Sequence, residues 1–254
     1  MTVTVIVMAK NEERNIEACL DSASGVDEIL VLDDHSQDGT ASLAEARGAR
    51  VIRRQLANFA DQMNFGASEA RGDWIFILDA DERFTPGLLE AIRKHLAQGP
   101  AAVGTVLRRN FAFGRRHRFG PLKADRVPRL FPRGAVRWQG LVHAQPVFSL
   151  PEKPLGALRH YTYRDWDHYF RKLDQYAGLW ADDAHKKGKT PSSWTIWTHL
   201  LWNQFKMFII NLGLLGGPVC WALCFLNGEY TLKKYLRLQD LNGGSRAGAD
   251  FPEP

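Results

Sequence analysis

Two of the most apolar runs in this 254-residue chain end on paired acids: Asp33 and Asp34 close "EILVLDD", and Asp79 and Asp81 close "WIFILDAD". Carboxylates two positions apart on an extended strand point to the same side, and two such charges repel unless a cation joins them. Oxygen ligation with few protein groups suits Mg2+ or Mn2+, which keep some waters and complete their shell with substrate phosphates. Acids after a strand also cap the next helix, and we expect that plainer role for Ser36 and Asp38 before a helix starting near Thr40. Two acid pairs at separate strand ends of one sheet fit a site better than they fit two unrelated caps.

The elements that must position these acids follow from periodicity. Strands are expected at "TVTVIVM", "EILVLD", "ARVIRR" and "WIFILDADE", alternating with helices at "NEERNIEACLDSAS", "TASLAEARG", "FADQMNFGASEARG" and "TPGLLEAIRKHLA". Asn11 would cap the first helix, with Ile16, Cys19 and Leu20 turned inward; Thr85 would cap the fourth, with Pro86 in its first turn. Four strand-helix units in succession predict an α/β fold: a Rossmann-like, mixed but mostly parallel sheet with helices on both faces. Ligands of such sheets bind beyond the carboxyl ends of the strands, where both acid pairs lie.

Beyond Gly99 the pattern changes to shorter strands, and from Asp165 it is helical. We divide the chain into a domain over 1–160, with halves 1–100 and 101–160, a helical region over 161–242 and a disordered tail over 243–254. The basic cluster Arg108, Arg109, Arg115, Arg116 and Arg118 suits either an anionic acceptor, since guanidinium forks match phosphate, or a solvated loop. The net charge of +5, from 33 basic and 28 acidic residues, is mild, and no nucleic-acid partner is expected from it. Cysteines at 19, 220 and 224 form no disulfide framework; buried thiols in a reduced cytoplasmic setting are expected.

The uncharged run over 207–226, "MFIINLGLLGGPVCWALCFL", is about one bilayer span long, but Asn211, the glycines at 213, 216 and 217, and Pro218 interrupt it. Trp194, Trp197 and Trp202, with Lys206, precede it, and tryptophan and lysine favour the lipid headgroup level. We expect a monotopic helical segment at the inner membrane surface, ahead of a full span or a soluble lid, with Lys233, Lys234 and Arg237 facing anionic headgroups.

The stretches "VIVMAKNEERNI", "ILVLDDHSQDGT" and "GDWIFILDADE" together resemble the sugar-nucleotide half of the family 2 glycosyltransferases of GT-A fold, over about residues 2–98. "RLFPRG", "VRWQGLVH" and "YLRLQD" resemble, more loosely, the subgroup that includes bacterial lipopolysaccharide core glucosyltransferases. The resemblance implies an inverting, metal-dependent transfer of a hexose from a nucleotide-diphosphate sugar, foremost a UDP-sugar. The acceptor it implies is a hydroxyl of a glycolipid or core-type oligosaccharide, at the cytoplasmic face of a bacterial inner membrane. It assigns Glu12 and Asp34 to the donor nucleoside, Asp79 to the ribose or the metal, and Asp81 to the metal as principal ligand; Gln62 and Asn64 would line the donor pocket.

The chain departs from the family pattern at one place: many relatives read "VHE" where this sequence has Val142, His143 and Ala144. His143 is then the candidate base or third metal ligand, Asp125 the alternative base, and Glu82 a further option. The missing carboxylate also keeps open a non-catalytic sugar-nucleotide-binding scaffold. A nucleotidyltransferase is disfavoured, because no Gly-rich phosphate loop follows the first strand.

Overall fold

The computed structural model describes residues 1–99, 101–140 and 144–243. It divides into two compact units, one of residues 1–112 and 124–162, the other of 113–123 and 163 onward.

The first unit opens with β1 (Val3–Ala9), α1 (Glu13–Ser22), β2 (Glu28–Asp33), α2 (Thr40–Ala46), β3 (Arg50–Arg53), α3 (Phe59–Glu69) and β4 (Trp74–Asp79). It continues with β5 (Glu82–Phe84), α4 (Leu88–Leu96) and β6 (Val103–Ala112); β7 (Arg115–Arg116) belongs to the second unit. Then follow β8 (Asp125–Pro132), β9 (Arg137–Gln139), β10 (Gln145–Val147) and β11 (Glu152–Tyr163). The main sheet runs β3-β2-β1-β4-β8-β6-β11-β5, while β9 and β10 form a separate ribbon. Strands β3, β2, β1 and β4 pair in parallel; β8 joins β4 and β6 antiparallel, and β11 joins β5 antiparallel.

Strand alternation sorts the core onto two faces. Val5, Val7, Val31, Phe76 and Leu78 pack with Ile16 and Leu20 of α1, Ala44 of α2 and Ile92 of α4; Ile6, Leu30, Leu32, Ile75 and Ile77 pack with Ala60 and Met63 of α3. The mixed sheet with helices on both faces is thus observed, and Ile16, Cys19 and Leu20 point inward as expected. Two caps differ. Glu12, not Asn11, precedes α1, and α4 starts after Gly87, because Thr85 Oγ1 donates to the Ala157 carbonyl at 2.7 Å instead of capping.

The second unit holds α5 (Trp166–Lys186), α6 (Ser193–Phe205) and α7 (Gly217–Asn242). Asp165 and Ser192 cap α5 and α6 by accepting from the His168 and Thr195 amides. Between α6 and α7 a π-helical turn, Lys206–Ile210, and a 3-10 turn, Gly213–Gly216, make an elbow. A Cβ on Gly213 would lie 2.5 Å from the Met207 carbonyl oxygen and 2.6 Å from Cys224 Sγ, so the elbow closes only around a glycine. All three cysteines are buried and free, as expected.

Helix α3 approaches the sheet closely at Gly66, where an added Cβ would stand 2.9 Å from both Ile6 Cγ2 and Leu32 Cδ1. A larger residue at mid-helix gains propensity, but here it meets two fully buried side chains. Gly66→Val is expected to destabilise the protein by roughly 2 kcal/mol or more, read as a lower urea midpoint at unchanged slope. A midpoint equal to or above wild type contradicts this packing.

Candidate active site at the strand ends

The parallel block brings both acid pairs to one edge of the sheet. Ala9 stands opposite Asp33 and Met8 opposite Asp79. The two strand ends therefore flank β1 at nearly the same height, about 10 Å apart at two inter-strand spacings.

The loops after β1 and β2 are laced to one another. Asn11 and His35 both adopt left-handed backbone, with φ of 54° and 48°, a conformation that costs non-glycine residues on the order of 1 kcal/mol and clusters at functional sites. Asn11 Oδ1 accepts from the Gln37 amide at 2.8 Å, and the Asn11 amide donates to Ser36 Oγ at 2.9 Å. Ser36 is thereby taken away from α2, whose N-cap position is Gly39, without a side-chain cap bond of its own. Asp38 does serve the first amide of α2, accepting from Thr40 at 3.1 Å, and its other oxygen accepts from the Glu13 amide at 3.2 Å, tying the two loops again.

Asp34 lies inside this lacework. Its Oδ2 pairs with Lys10 Nζ at 2.7 Å and its Oδ1 accepts from the Leu56 amide at 2.9 Å. Burial opposes its charge, but Lys10 and the Leu56 amide hold the carboxyl below the usual carboxylate range. Asp33 is turned inward and accepts from the Ser36 amide at 3.2 Å. Glu12 accepts from Asn15 Nδ2 at 2.8 Å, and its amide donates to Thr40 Oγ1 at 2.8 Å.

Gln62 is buried, with Oε1 accepting from Arg54 Nη1 at 2.6 Å and Nε2 donating to the Arg54 carbonyl at 3.3 Å. Asn64 exchanges two 2.9 Å bonds with the Trp138 backbone.

The second acid pair departs from the extended geometry read from the sequence. Strand β4 ends at Asp79, and the chain turns at Ala80 and Asp81 before β5. The turn exists because β5 must reverse onto β11, which the Tyr161 amide completes by donating to the Asp81 carbonyl at 2.8 Å. Arg83 holds it from below, Nη1 donating to the Ala80 and Glu82 carbonyls at 2.8 and 2.7 Å and Nη2 to the Asn15 carbonyl at 2.9 Å. Cys19 Sγ adds a contact to the Asp79 carbonyl at 3.6 Å.

The two carboxylates consequently part company. Asp79 Oδ2 accepts from Arg129 Nη2 at 2.7 Å, and the same nitrogen donates to Glu82 Oε1 at 2.7 Å. Glu82 is fully buried, and its Oε2 accepts from the Asp79 amide at 3.1 Å. Burial, with the Asp79 charge, pushes the Glu82 carboxyl up to about 7 against the pull of Arg129, while Arg129 holds Asp79 below the ordinary range despite burial. Glu82 is thus a strut inside the turn and is out of reach of an acceptor hydroxyl, which removes it as a base.

Asp81 instead faces His160 of β11, with Nε2 3.5 Å from Oδ2. His160 Nδ1 lies 2.7 Å from Asn110 Oδ1 and 3.1 Å from Thr162 Oγ1. When Nδ1–H is donated to Asn110, the Nε2 lone pair confronts the carboxylate. Two lone pairs at that distance repel unless a proton or a metal stands between them, and cis ligands on an ion at about 2.1 Å are about 3 Å apart. The pair therefore fits a divalent cation, and Asn110 would be the outer partner that fixes the imidazole tautomer. Among the described residues no three such ligands converge, so substrate oxygens and water would complete the shell.

The remaining sequence candidates fall elsewhere. Asp125 lies opposite Arg108 across β8 and β6, and both its oxygens accept from that guanidinium, at 3.1 and 2.7 Å; it braces the sheet. His143 lies outside the described residues. The arginine cluster is divided, with Arg108 and Arg109 in the first unit and Arg115, Arg116 and Arg118 in the second. A hollow of about 520 Å3 beside α3 and β9 is lined by Asn58, Asp61, Asn64, Arg137, Trp138 and Gln139, and includes none of the four strand-end acids. Arg129, His160 and Asn110 received no role from the sequence. A hint existed for Arg129 alone, as a cation within the strand run "RLF".

A mixed sheet with acids converging at the ends of its parallel strands is the frame of a nucleotide-sugar transferase, and comparison with known proteins identifies the family. The model of Glycosyl transferase family 2 matches residues 4–147, and the chain belongs to that family. It is 28% identical over 204 residues, 75% of this chain and 74% of the relative, to the lipopolysaccharide core biosynthesis glycosyltransferase LpsC of Rhizobium meliloti. It is 26% identical over 234 residues, 82% and 76% of the two chains, to an uncharacterized glycosyltransferase of Rickettsia bellii. Among solved structures, glucosyl-3-phosphoglycerate synthase of Mycobacterium tuberculosis, in complex with Mn2+, UDP-glucose and glycerol 3-phosphate, aligns at TM-score 0.48 and 20% identity over 76% of this chain and 82% of that one. The protein is a glycosyltransferase.

Removing the Arg129 guanidinium would leave the fully buried Glu82 carboxylate facing that of the half-buried Asp79. Arg129→Met is expected to cost about 3–5 kcal/mol. Both acids then bind protons more tightly in the folded than in the unfolded protein, so the deficit grows as pH rises through about 5 to 8 and shrinks in acid. Chemical denaturation at several pH values checks this; a deficit independent of pH contradicts the ion triad.

Proposed function

We propose that this chain transfers a hexose, with inversion, from a UDP-sugar to a hydroxyl of a glycolipid or lipopolysaccharide-core-type acceptor, using Mg2+ or Mn2+. The observation that carries the reading is the Asp81–His160 pair at the end of β4, held 3.5 Å apart on a braced turn beside a second acid site at the end of β2. The similarity to LpsC, named for lipopolysaccharide core biosynthesis, supports the acceptor class.

In this reading Asp81 and His160 would hold the cation, which when bound would supply Lewis-acid stabilisation of the charge that grows on a diphosphate leaving group. Asp34 and Glu12 receive the nucleoside from loops that Asn11 and His35 already hold in strained, preorganised form. Asp79, with Oδ2 on Arg129, is assigned to the ribose or to the metal. His143 stays the candidate for taking the acceptor proton, since Asp125 is engaged by Arg108 and Glu82 is buried.

Incubation with a panel of nucleotide sugars, Mn2+ and a core oligosaccharide acceptor is expected to release nucleoside diphosphate and form product of inverted anomeric configuration. EDTA, Asp81→Asn and His160→Ala should each lower the rate by about 100-fold or more, since the metal supplies several kcal/mol. Transfer undiminished by EDTA contradicts the metal role, and release of inorganic pyrophosphate would signify nucleotidyl transfer instead.

A further inference from the structure

The second unit carries a surface that glycosyl transfer does not explain. Along α6 the buried side is Ile196, which packs with Ala181, Ala184, Tyr235 and Leu238. The opposite side presents Trp194, Trp197, Leu201 and Phe205 at helical spacing, with Trp194 77% and Leu201 66% exposed. The helix is thus amphipathic with an apolar outer face. The stripe continues through the elbow, where Leu214 and Leu215 are 56% and 67% exposed, and along the start of α7 through Trp221 and Phe225 until Glu229 ends it.

Three observations select what covers this face. The first is charge: between Thr190 and Gly228 the single Lys, Arg, Asp or Glu is Lys206, so the apolar stripe lacks the charged, polar rim that surrounds the core of an interface between proteins. The second is the order of residue types along the hairpin. α6 and α7 run side by side, with Phe208 on Phe225 near the elbow and His199 on Tyr235 further back. Leu212, Leu214 and Leu215 lie exposed at the elbow beside Trp221 and Lys206, Trp194, Trp197 and Trp202 are exposed along α6, and the exposed Lys186 and Lys189 lie at the open end. An aliphatic tip flanked by tryptophan and by lysine, whose long stem can carry its ammonium back to the headgroups, suits shallow insertion in the interface plane of one leaflet. The third is polar satisfaction: the Asn211, Leu212 and Leu215 amides donate to the Lys206, Ile209 and Leu212 carbonyls, and Trp221 Nε1 donates to the Leu214 carbonyl at 3.0 Å. An elbow that closes its own hydrogen bonds meets the condition hydrocarbon imposes.

From this we infer that α6, the elbow and the first turns of α7 dock into one leaflet of a phospholipid membrane, with Lys186 and Lys189 among acidic headgroups. Among the described residues no single helix is long and apolar enough to cross a bilayer; the pair Ser193–Ile210 and Gly213–Asn242 reaches that length and composition only together, bent by 60°. A face that is apolar on one side and packed against α5 and α7 on the other suits burial in the interface plane. The inference rests on the second unit alone and does not depend on the reading of the strand-end site.

The test is co-sedimentation of the full-length protein with vesicles of phosphatidylglycerol and phosphatidylcholine, against phosphatidylcholine alone. Wild type should pellet with the vesicles, more strongly with the acidic lipid and less in high salt, and brominated acyl chains should quench its tryptophan emission. The double variant Leu214→Glu/Leu215→Glu, altered at two solvent-facing positions and checked by an unchanged melting curve, should partition roughly tenfold or more weakly. Wild type left in the supernatant with both vesicle types, or emission indifferent to brominated lipid, overturns the inference. So does a solution dimer that the double variant dissociates without any vesicle binding, which would make a second copy of the chain the occupant.

Discussion

The candidate site depends on one buried guanidinium. Arg129 crosses from β8 to the end of β4 and donates a single nitrogen to Asp79 and Glu82 together. Without it, the run "DADE" would place three carboxylates in a few ångströms around a half-buried turn, and Coulomb repulsion at low dielectric would push the turn open. With it, two of the acids become part of the frame and the third, Asp81, is left to face His160. The antiparallel half of the sheet contributes as much to the site as the parallel half: β8 supplies Arg129, β6 Asn110 and β11 His160. A parallel block alone would present acids but no means of keeping them apart.

This division explains which parts of the site were legible in the sequence. Asp33, Asp34, Asp79 and Asp81 could be read directly, because each pair ends an apolar run, and the parallel alternation of strands and helices sets where such ends lie. What Asp79 does could not be read, since its partner lies 50 residues away on an antiparallel strand and pairing of that kind leaves no local periodicity. His160 was invisible for the same reason: in "ALRHYTY" it is one polar residue of an alternating strand, and only the pairing of β11 with β5 brings it to Asp81. Asp125, the alternative base of the sequence reading, lies at the start of β8, where its cross-strand register pairs it with Arg108, a partner 17 residues away that the local sequence does not reveal. The caps at Asn11 and Thr85 failed alike, each side chain being drawn to another element that the local sequence does not reveal.

The end of β2 follows a different logic. There the fold holds Asp34 with Lys10 and the Leu56 amide, so the nucleoside proposed for this end would exchange with contacts that already exist and would not enter an unprepared gap. The accompanying left-handed residues Asn11 and His35 persist because the Gln37 and Ser36 bonds over-determine the two loops. Preorganisation of this kind lowers the ordering cost of binding. Similar restraint appears at Gln62, whose burial against Arg54 fixes the chain leading from β3 into α3.

The central claim is that the imidazole of His160 and the carboxylate of Asp81 share one divalent cation. The most direct measurement is electron spin echo envelope modulation of the protein loaded with Mn2+ and UDP. A nitrogen coupling from a directly ligated imidazole should appear in wild type and in His143→Gln, and vanish in His160→Gln. A spectrum without nitrogen coupling, or one whose coupling survives His160→Gln, contradicts the account.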